Sequence, residues 1–499
     1  MPILHHIKDT PRGFIAGAFI LFVTARLVWL VTARARRADR PSKFAVFQGE
    51  TDVIQTMEEA NEKLPETPFV LSMYGMQVFV LPRSEIETVK SLPECEVSIK
   101  KHHFNVFLGE YTFMGTKADE FDDTMRYTLT RSTPTALDAF TDEIGYAMDQ
   151  CIGQCDDVWT GIKTRAAMAR IASLLSGRVF VGLPLSRDPE WVEATTQYTQ
   201  NVTTAWMILR LIPRFIRPLV ATFLPQVRTL KRFRRAMVGK LSPILAAKKQ
   251  GIHSKTTSDP AGGSMLEWLT AHYKVQPTAE QLARDELLVI FASIYNLTNA
   301  ISSMVFDLAK HPEHIPELRQ ELVEVLGPSG IIDKHALSRL RKCDSFIRES
   351  QRLSPPSLAN IPRIVTNPLG FVTSTGHRIP AGSTVMIRAH PINRDRKLWG
   401  DNADQFDGFR FSKLRDMPGN ALKYQHTSTG TDNINFGHGI WACPGRFFAS
   451  AQLKVILAEL LRRYDIMRSP QTPNPGQLHY GLAVVPDPEA EVLFRKKML

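Results

Sequence analysis

FGHGIWACPGRFFA, residues 436–449, is the stretch on which the fold turns. Phe436, Gly439, Cys443 and Gly445 stand at fixed offsets in a glycine-dense segment, and an apolar run of helical spacing, FFASAQLKVILAELL, follows. Pro444 is a favoured first helical residue, so the spacing predicts a helix that opens directly after Cys443. A thiolate at such an N-terminus is stabilised by free backbone N–H groups and by the helix dipole, which lowers its pKa. The bland account makes the cysteine a small buried hydrophobe, and it leaves the surrounding glycines unexplained.

Glycines at 437, 439 and 445 let the backbone pass close beneath a flat macrocycle where a Cβ would collide. An anionic sulfur ligand pushes electron density onto an iron in that macrocycle and favours O–O cleavage, which a histidine ligand does less well. The segment resembles the haem-binding loop of the cytochrome P-450 superfamily, F-x-x-G-x-R-x-C-x-G. The resemblance implies a haem cofactor, Cys443 as the axial iron ligand, Phe436 packed near the sulfur, and Gly439 and Gly445 in the loop beneath the ring. One position departs from the pattern. Two residues before the cysteine, where Arg or His usually bonds a haem propionate, this chain has Trp441, which donates one hydrogen bond and carries no charge.

Further out, Glu349-Ser-Gln-Arg352 sets a carboxylate and a guanidinium on one helical face, where they can pair. This looks like the family's helix K, and FDGFRF at 406–411 resembles the Arg-containing segment that follows it. The resemblance implies that Glu349, Arg352 and Arg410 form a buried structural ion network. It also implies that Arg363, in IPRIV, meets a propionate, and that Arg131 does the same from an earlier helix, although Tyr127 stands where many members have Trp.

Residues 285–312, DELLVIFASIYNLTNAISSMVFDLAKHP, read as a long apolar helix and resemble the family's helix I, which crosses the haem on its distal side. There Tyr295 and Asn296 replace the usual acid and threonine as the catalytic pair. At about 100° per residue, Ala292, Tyr295, Asn296 and Asn299 share one stripe while Thr298 points away. An amide does not titrate and a tyrosine does so near ~10, so this pair lacks the ready proton of an acid. The competing account is that both are merely tolerated on a core helix.

At the N-terminus, GFIAGAFILFVTARLVWLV at 13–31 carries a single charge, Arg26, and has the length of a membrane-spanning helix. Arg26 lies near its end, where a long side chain reaches the headgroups. Arg34, Arg36, Arg37 and Arg40 follow, a cluster that favours the cytoplasmic side. A cleaved signal peptide, with Ala33-Arg34-Ala35 as the cleavage site, and a buried core helix are the competing readings. Residues 1–40 are thus expected to be an anchor with a basic linker, and 41–499, free of internal repeats and long polar linkers, one catalytic domain.

The net charge of +11 comes from scattered Lys and Arg, which argues against nucleic acid and fits an acidic protein partner or an anionic membrane. Five widely spaced cysteines exclude a disulfide scaffold. Cys151 and Cys155 could face each other on a helix as two metal ligands, yet no second pair of zinc spacing stands near them. PFVLSMYGMQVFVL at 68–81 reads as a hairpin around Tyr74-Gly75, and Pro82 and Ser84 open a helix. The chain is mostly helical from about 118 to 350, with a loop at 259–263, and turns to short β pieces after Pro355, among them 363–366 and 384–387. The fold class is therefore mainly α with a minor β region, a cytochrome P-450 fold with an N-terminal transmembrane helix. WMILRLIPRFIRPLVATFLP at 206–225 reads either as broken core helices or as a segment at the membrane interface.

The resemblance implies a haem monooxygenase that uses O2 and takes electrons from a separate NADPH-dependent cytochrome reductase, since no flavin or nicotinamide motif is present in this chain. GHGxxACPGRFFA looks most like fungal enzymes of secondary metabolism, which implies a small lipophilic substrate such as a terpenoid, polyketide or alkaloid intermediate. The expected location is the endoplasmic reticulum membrane, spanned once, with the catalytic domain facing the cytosol. Two alternatives stay open: a haem-thiolate enzyme of ring formation, desaturation, dehydration or isomerisation, and a non-enzymatic haem-binding membrane protein.

Overall fold

The apolar runs on either side of Tyr74 form strands β1 (Phe69–Met73) and β2 (Met76–Leu81), paired antiparallel with Met73 opposite Met76. Tyr74 takes φ +47°, the left-handed corner that the tight turn demands. Strands β3 (Ala359–Val365) and β4 (Thr384–Arg388) pair antiparallel with each other, and β4 lies parallel to β2. Short edge strands Val46–Gln48 and Val97–Ser98 complete a six-stranded sheet. In β3 the register shifts between Asn360 and Arg363, with Ile361 at φ +55°. A bulge of this kind re-aims the side chains beyond it, Arg363 first among them. The computed structural model describes residues 44–497 except 75, 116–118, 154, 156–157 and 250–263. The expected anchor, its basic linker and the loop at 259–263 lie outside these.

The larger part of the molecule is helical. Its principal helices are α1 (Thr133–Cys151), α2 (Thr164–Phe180), α3 (Pro189–Leu211), α4 (Ala279–Lys310), α5 (Arg341–Leu353) and α6 (Arg446–Arg463). Thr278 and Gln281 start α4 with a reciprocal capping box. Helix α4 is the one described helix long and apolar enough to cross a membrane, but 67% of its most apolar window is buried inside the protein. It is the central core helix, packed against α2, α5 and α6.

Two sequence expectations change here. Helix α1 ends at Cys151 and Cys155 lies beyond it at φ +42°, so the two thiols do not share a helical face. Both are free, and no cluster of three or more His, Cys, Asp or Glu suited to a metal occurs among the described residues. The segment at 206–225 divides into the end of α3, a short helix at Arg217–Phe223 and the start of a helix at Pro225–Lys249. Leu209 and Ala221 are buried, whereas Leu211, Phe215, Leu219 and Phe223 are 51%, 76%, 64% and 58% exposed. The segment therefore has a core side and an exposed apolar row at a spacing of four.

Candidate active site

The loop before α6 is closed by the Cys443 N–H, which donates to the Phe436 carbonyl at 2.7 Å. A 3-10 turn at Gly439–Trp441 precedes it, and α6 starts only at Arg446 with Gly445 as its N-cap. The expectation of a helix opening at Pro444 is corrected by two residues, because this closure bends the chain away from helical geometry. The electrostatic expectation changes too. Burial pushes the Cys443 thiol above its ordinary value, and the N–H groups of Gly445 and Arg446 and the Arg446 guanidinium pull it down without overcoming that effect. A thiol in this place becomes a thiolate when a metal coordinates it, which deprotonates it outright.

The glycines divide into two kinds. Gly439 has φ +72°, and a Cβ on it would lie 2.5 Å from the Lys90 carbonyl oxygen; Gly437 has φ +68°. Gly439 serves the loop's own backbone and lies outside the cavity lining, whereas Gly437 lines the cavity. Gly445 has an ordinary φ, and a Cβ there would stand 3.9 Å from Cys443 Sγ on the side that faces the cavity. Phe436 also lines that cavity, its ring edge-on to His426 at 5.1 Å.

The cavity holds about 2490 Å³ between this loop and α4. Ala292, Ser293, Tyr295, Asn296 and Asn299 of α4 line it, while Thr298 is buried and donates to the Ile294 carbonyl at 2.6 Å. The Nδ2 of Asn296 donates to the Ala292 carbonyl at 2.8 Å. A carbonyl only accepts, so the orientation of this amide is fixed and its Oδ1 remains as an acceptor. Tyr295 stacks on Phe291 with centroids 5.5 Å apart and planes at 4°. Burial raises its pKa further, against the opposing effect of Arg165 and a hydrogen bond from Asn299. Neither side chain carries a proton that is labile near neutrality.

At the polar end of the cavity Arg363 is fully buried, donates from Nη1 to the Pro362 carbonyl at 2.8 Å and has no partner for its Nε among the described residues. Burial pulls its pKa down to about 10. Arg131, expected beside it, is corrected: it follows a π-helical stretch at Thr124–Leu129, sits next to the break at Ser132, is exposed and lies outside the cavity lining. The cation that this segment does bring to the cavity is Arg126, whose guanidinium lies 4.5 Å from the centre of the Trp441 ring. Arg363 stands 5.9 Å from the same ring. The Trp441 N–H is corrected as well, because it donates to the Leu92 carbonyl at 3.0 Å and is not left for a propionate. His102, buried and cavity-lining, has an unpartnered Nδ1. Sequence reasoning missed Arg126 and His102, since neither stands in a motif or at a spacing that sets it apart.

Behind the cavity, Arg352 donates from Nε and Nη2 to Glu349 at 2.8 and 2.7 Å, and Arg410 donates from Nε to the same carboxylate at 3.2 Å. Backbone carbonyls of Asn393, Ala403, Trp399, Asn402 and Gln405 and the Asn402 Oδ1 take the remaining guanidinium N–H groups, and the Asp407 N–H donates to Glu349 at 3.0 Å.

Residues 139–494 match the family model described as Cytochrome P450. The chain belongs to the cytochrome P450 family. This cytochrome P450 is 55% identical over 475 residues to the cytochrome P450 monooxygenase ataF of Aspergillus terreus, covering 95% of each chain. To the cytochrome P450 monooxygenase gliF of Aspergillus fumigatus it is 51% identical over 504 residues, covering 99% of each. Its fold is similar to that of a solved structure, the retinoic acid bound cyanobacterial CYP120A1, with a TM-score of 0.67 and 16% identity over 88% of this chain and 94% of that one. It is an oxidoreductase, a P450 monooxygenase with a haem-thiolate cofactor and electrons from a redox partner, and the reading as a non-enzymatic haem carrier falls. The residues present fit that cofactor. A sulfur faces open space beside Gly445, and a buried guanidinium, Arg363, keeps a donor unfilled among the described residues, with Arg126 lining the cavity beside the same Trp441 ring.

Proposed function

We propose that Cys443 ligates the haem iron, that Arg363 and Arg126 hold the propionates, and that the enzyme inserts one atom of O2 into a lipophilic intermediate of fungal secondary metabolism. The observation that carries this reading is that, of five cysteines, only Cys443 lines the cavity. Bound there, the haem supplies the oxygen chemistry. The chain's own residues hold and orient what surrounds it. Phe107, 5.1 Å from Phe291 and 6.3 Å from Trp206, joins them in an aromatic wall that excludes water and suits a terpenoid, polyketide or alkaloid substrate. Asn296 offers an acceptor through Oδ1, which holds a water or a substrate hydroxyl without giving up a proton of its own. Protons then reach the site through ordered water or the substrate's hydroxyl, with Tyr295 and Asn296 as the residues that position them.

Electrons come in this reading from a separate NADPH-dependent cytochrome reductase, drawn to a chain of net charge +11. The apolar run at 13–31 and the exposed row Leu211, Phe215, Leu219 and Phe223, flanked by Arg210, Arg214 and Arg217, support a single-pass membrane protein whose catalytic domain rests on the surface. The endoplasmic reticulum is the membrane we assign to it.

Membranes carrying the protein, reductase, NADPH and candidate intermediates under isotope-labelled dioxygen test the reaction. The expected product gains one labelled oxygen. A product formed only with reductase and NADPH but without label would favour ring formation or desaturation, the second reading, which the replacement of the usual acid and alcohol by Tyr295 and Asn296 supports. In the same preparation Cys443→Ala abolishes the red-shifted Soret band of the reduced, carbon monoxide-bound protein, and an unchanged band would remove the ligand assignment.

A further inference from the structure

The haem-binding loop lacks a cation where this family's pattern has one, yet two guanidinium groups gather at the ring that replaces it. We propose that Trp441 is a positioning residue for the haem propionates: its indole ring is the shelf that holds Arg126 and Arg363 together at the polar corner of the cavity. This rests on the reading of those two arginines as propionate partners. The Arg126 guanidinium is 4.5 Å and that of Arg363 5.9 Å from the ring centre. Both are within the reach of a cation–π contact. The ring itself is fixed from the other side, by its N–H bond to the Leu92 carbonyl at 3.0 Å. Arg126 comes from the π-helical stretch at Thr124–Leu129 and Arg363 from the bulge in β3, so the two charges arrive on separate elements and share the Trp441 ring.

Burial weakens the charged form of Arg363, and the neighbouring Glu94 carboxylate restores only part of it. The negative face of an indole offsets part of this effect, by roughly three- to thirty-fold in the population of a held guanidinium at a desolvated site. Arg363 Nε, a donor buried without a partner among the described residues and lining the same cavity, shows that the corner can take an acceptor the chain does not itself supply. The charge missing from the loop is thus replaced by two arginines, and the loop contributes the surface that aligns them.

The test is a double-mutant cycle on purified holoprotein, read as the rate of haem transfer to a haem-free acceptor globin and as the haem reduction potential. Arg126→Gln speeds transfer about tenfold in the parent, on the scale of one charge-assisted contact. In a Trp441→Leu background the same change costs at most about twofold, because the guanidinium is no longer held. Trp441→Phe, which keeps a π face but loses the N–H, stays near the parent, and Trp441→Leu lowers the potential in the same direction as Arg126→Gln. Should Trp441→Leu fail to take up haem, Trp441→Met gives an unbranched side chain without a π face for the same cycle. An equal cost of Arg126→Gln in both backgrounds overturns the positioning role. If Arg126→Gln and Arg363→Gln leave transfer unchanged even in the parent, the propionate reading itself has failed.

Discussion

The cluster of Glu349, Arg352 and Arg410 and the corner formed by half-buried Arg126 with buried Arg363 and His102 are both rich in arginine, but they differ in whether their polar atoms are filled. In the first, every guanidinium nitrogen of Arg352 and Arg410 has an acceptor inside the chain, and Glu349 takes bonds from both arginines and from the Asp407 N–H. In the second, Arg363 Nε and His102 Nδ1 have none, and all three residues line the cavity. Buried polar groups are almost always satisfied, so a closed set explains itself as structure and an open one facing a cavity calls for an anion from outside.

The largest effect that could break this contrast lies in the closed set. Arg352→Ala leaves Glu349 buried and exposes the ordered carbonyls around it, at a cost of about 3–5 kcal/mol. The expected outcome is no recoverable folded holoprotein, checked by yield and by the thermal inactivation midpoint. Wild-type amounts of stable protein would show that the closed set does not hold the fold.

Next in size is a buried group that is unfilled without facing the cavity. Glu286, on α4, has both carboxylate oxygens unpartnered among the described residues and is not part of the cavity lining. Burial first, and the neighbouring Asp285 charge second, push its pKa from an ordinary 4.5 up to about 8. The folded state therefore binds the proton that the unfolded chain releases across that window, and stability falls as pH rises through it. Glu286→Gln removes the titration. Its thermal midpoint relative to the parent should climb by a few degrees, about 2–4 °C for each kcal/mol in a domain smaller than this one, between pH 5 and pH 8. A difference that stays flat over that range would mean that Glu286 has a partner in solution.

Both motifs that announce the fold were legible because their parts are local. The 436–449 loop and the Glu349–Arg352 pair each lie within one segment, and the stripe of Ala292, Tyr295, Asn296 and Asn299 follows from helical periodicity alone. Arg410 needed the family likeness, since nothing in its own surroundings pairs it with Glu349. What could not be read is the corner. Arg126 and Trp441 meet across more than half the chain, and the π-helical stretch that brings Arg126 to the cavity while Arg131 ends at the surface has no sequence period to reveal it. The balance at the free Cys443 thiol is hidden for a related reason: the lowering by nearby N–H groups follows from local position, whereas the burial that raises it is set by the whole fold.

The smallest expected effect separates the two regions most cleanly. Arg363→Leu removes a buried cation that has one carbonyl for a hydrogen-bond partner and only the field of Glu94, with no ion pair among the described residues, to offset its burial, so the protein without haem loses little and gains by no longer burying a charge. With haem bound, the proposed propionate role has the same change remove a charge-assisted contact, about 1.5–3 kcal/mol of haem affinity. The haem-free protein should therefore keep or raise its thermal midpoint while the holoprotein loses haem faster, the opposite of the pattern for Arg352→Ala, where both forms collapse. Arg131→Leu serves as the control on the same assay: exposed and outside the cavity, it should stay within about 0.5 kcal/mol of the parent. If Arg363→Leu instead destabilises the haem-free protein as much as the holoprotein, Arg363 belongs with the closed, fold-holding charges, and its unfilled Nε is satisfied by water rather than kept for a propionate.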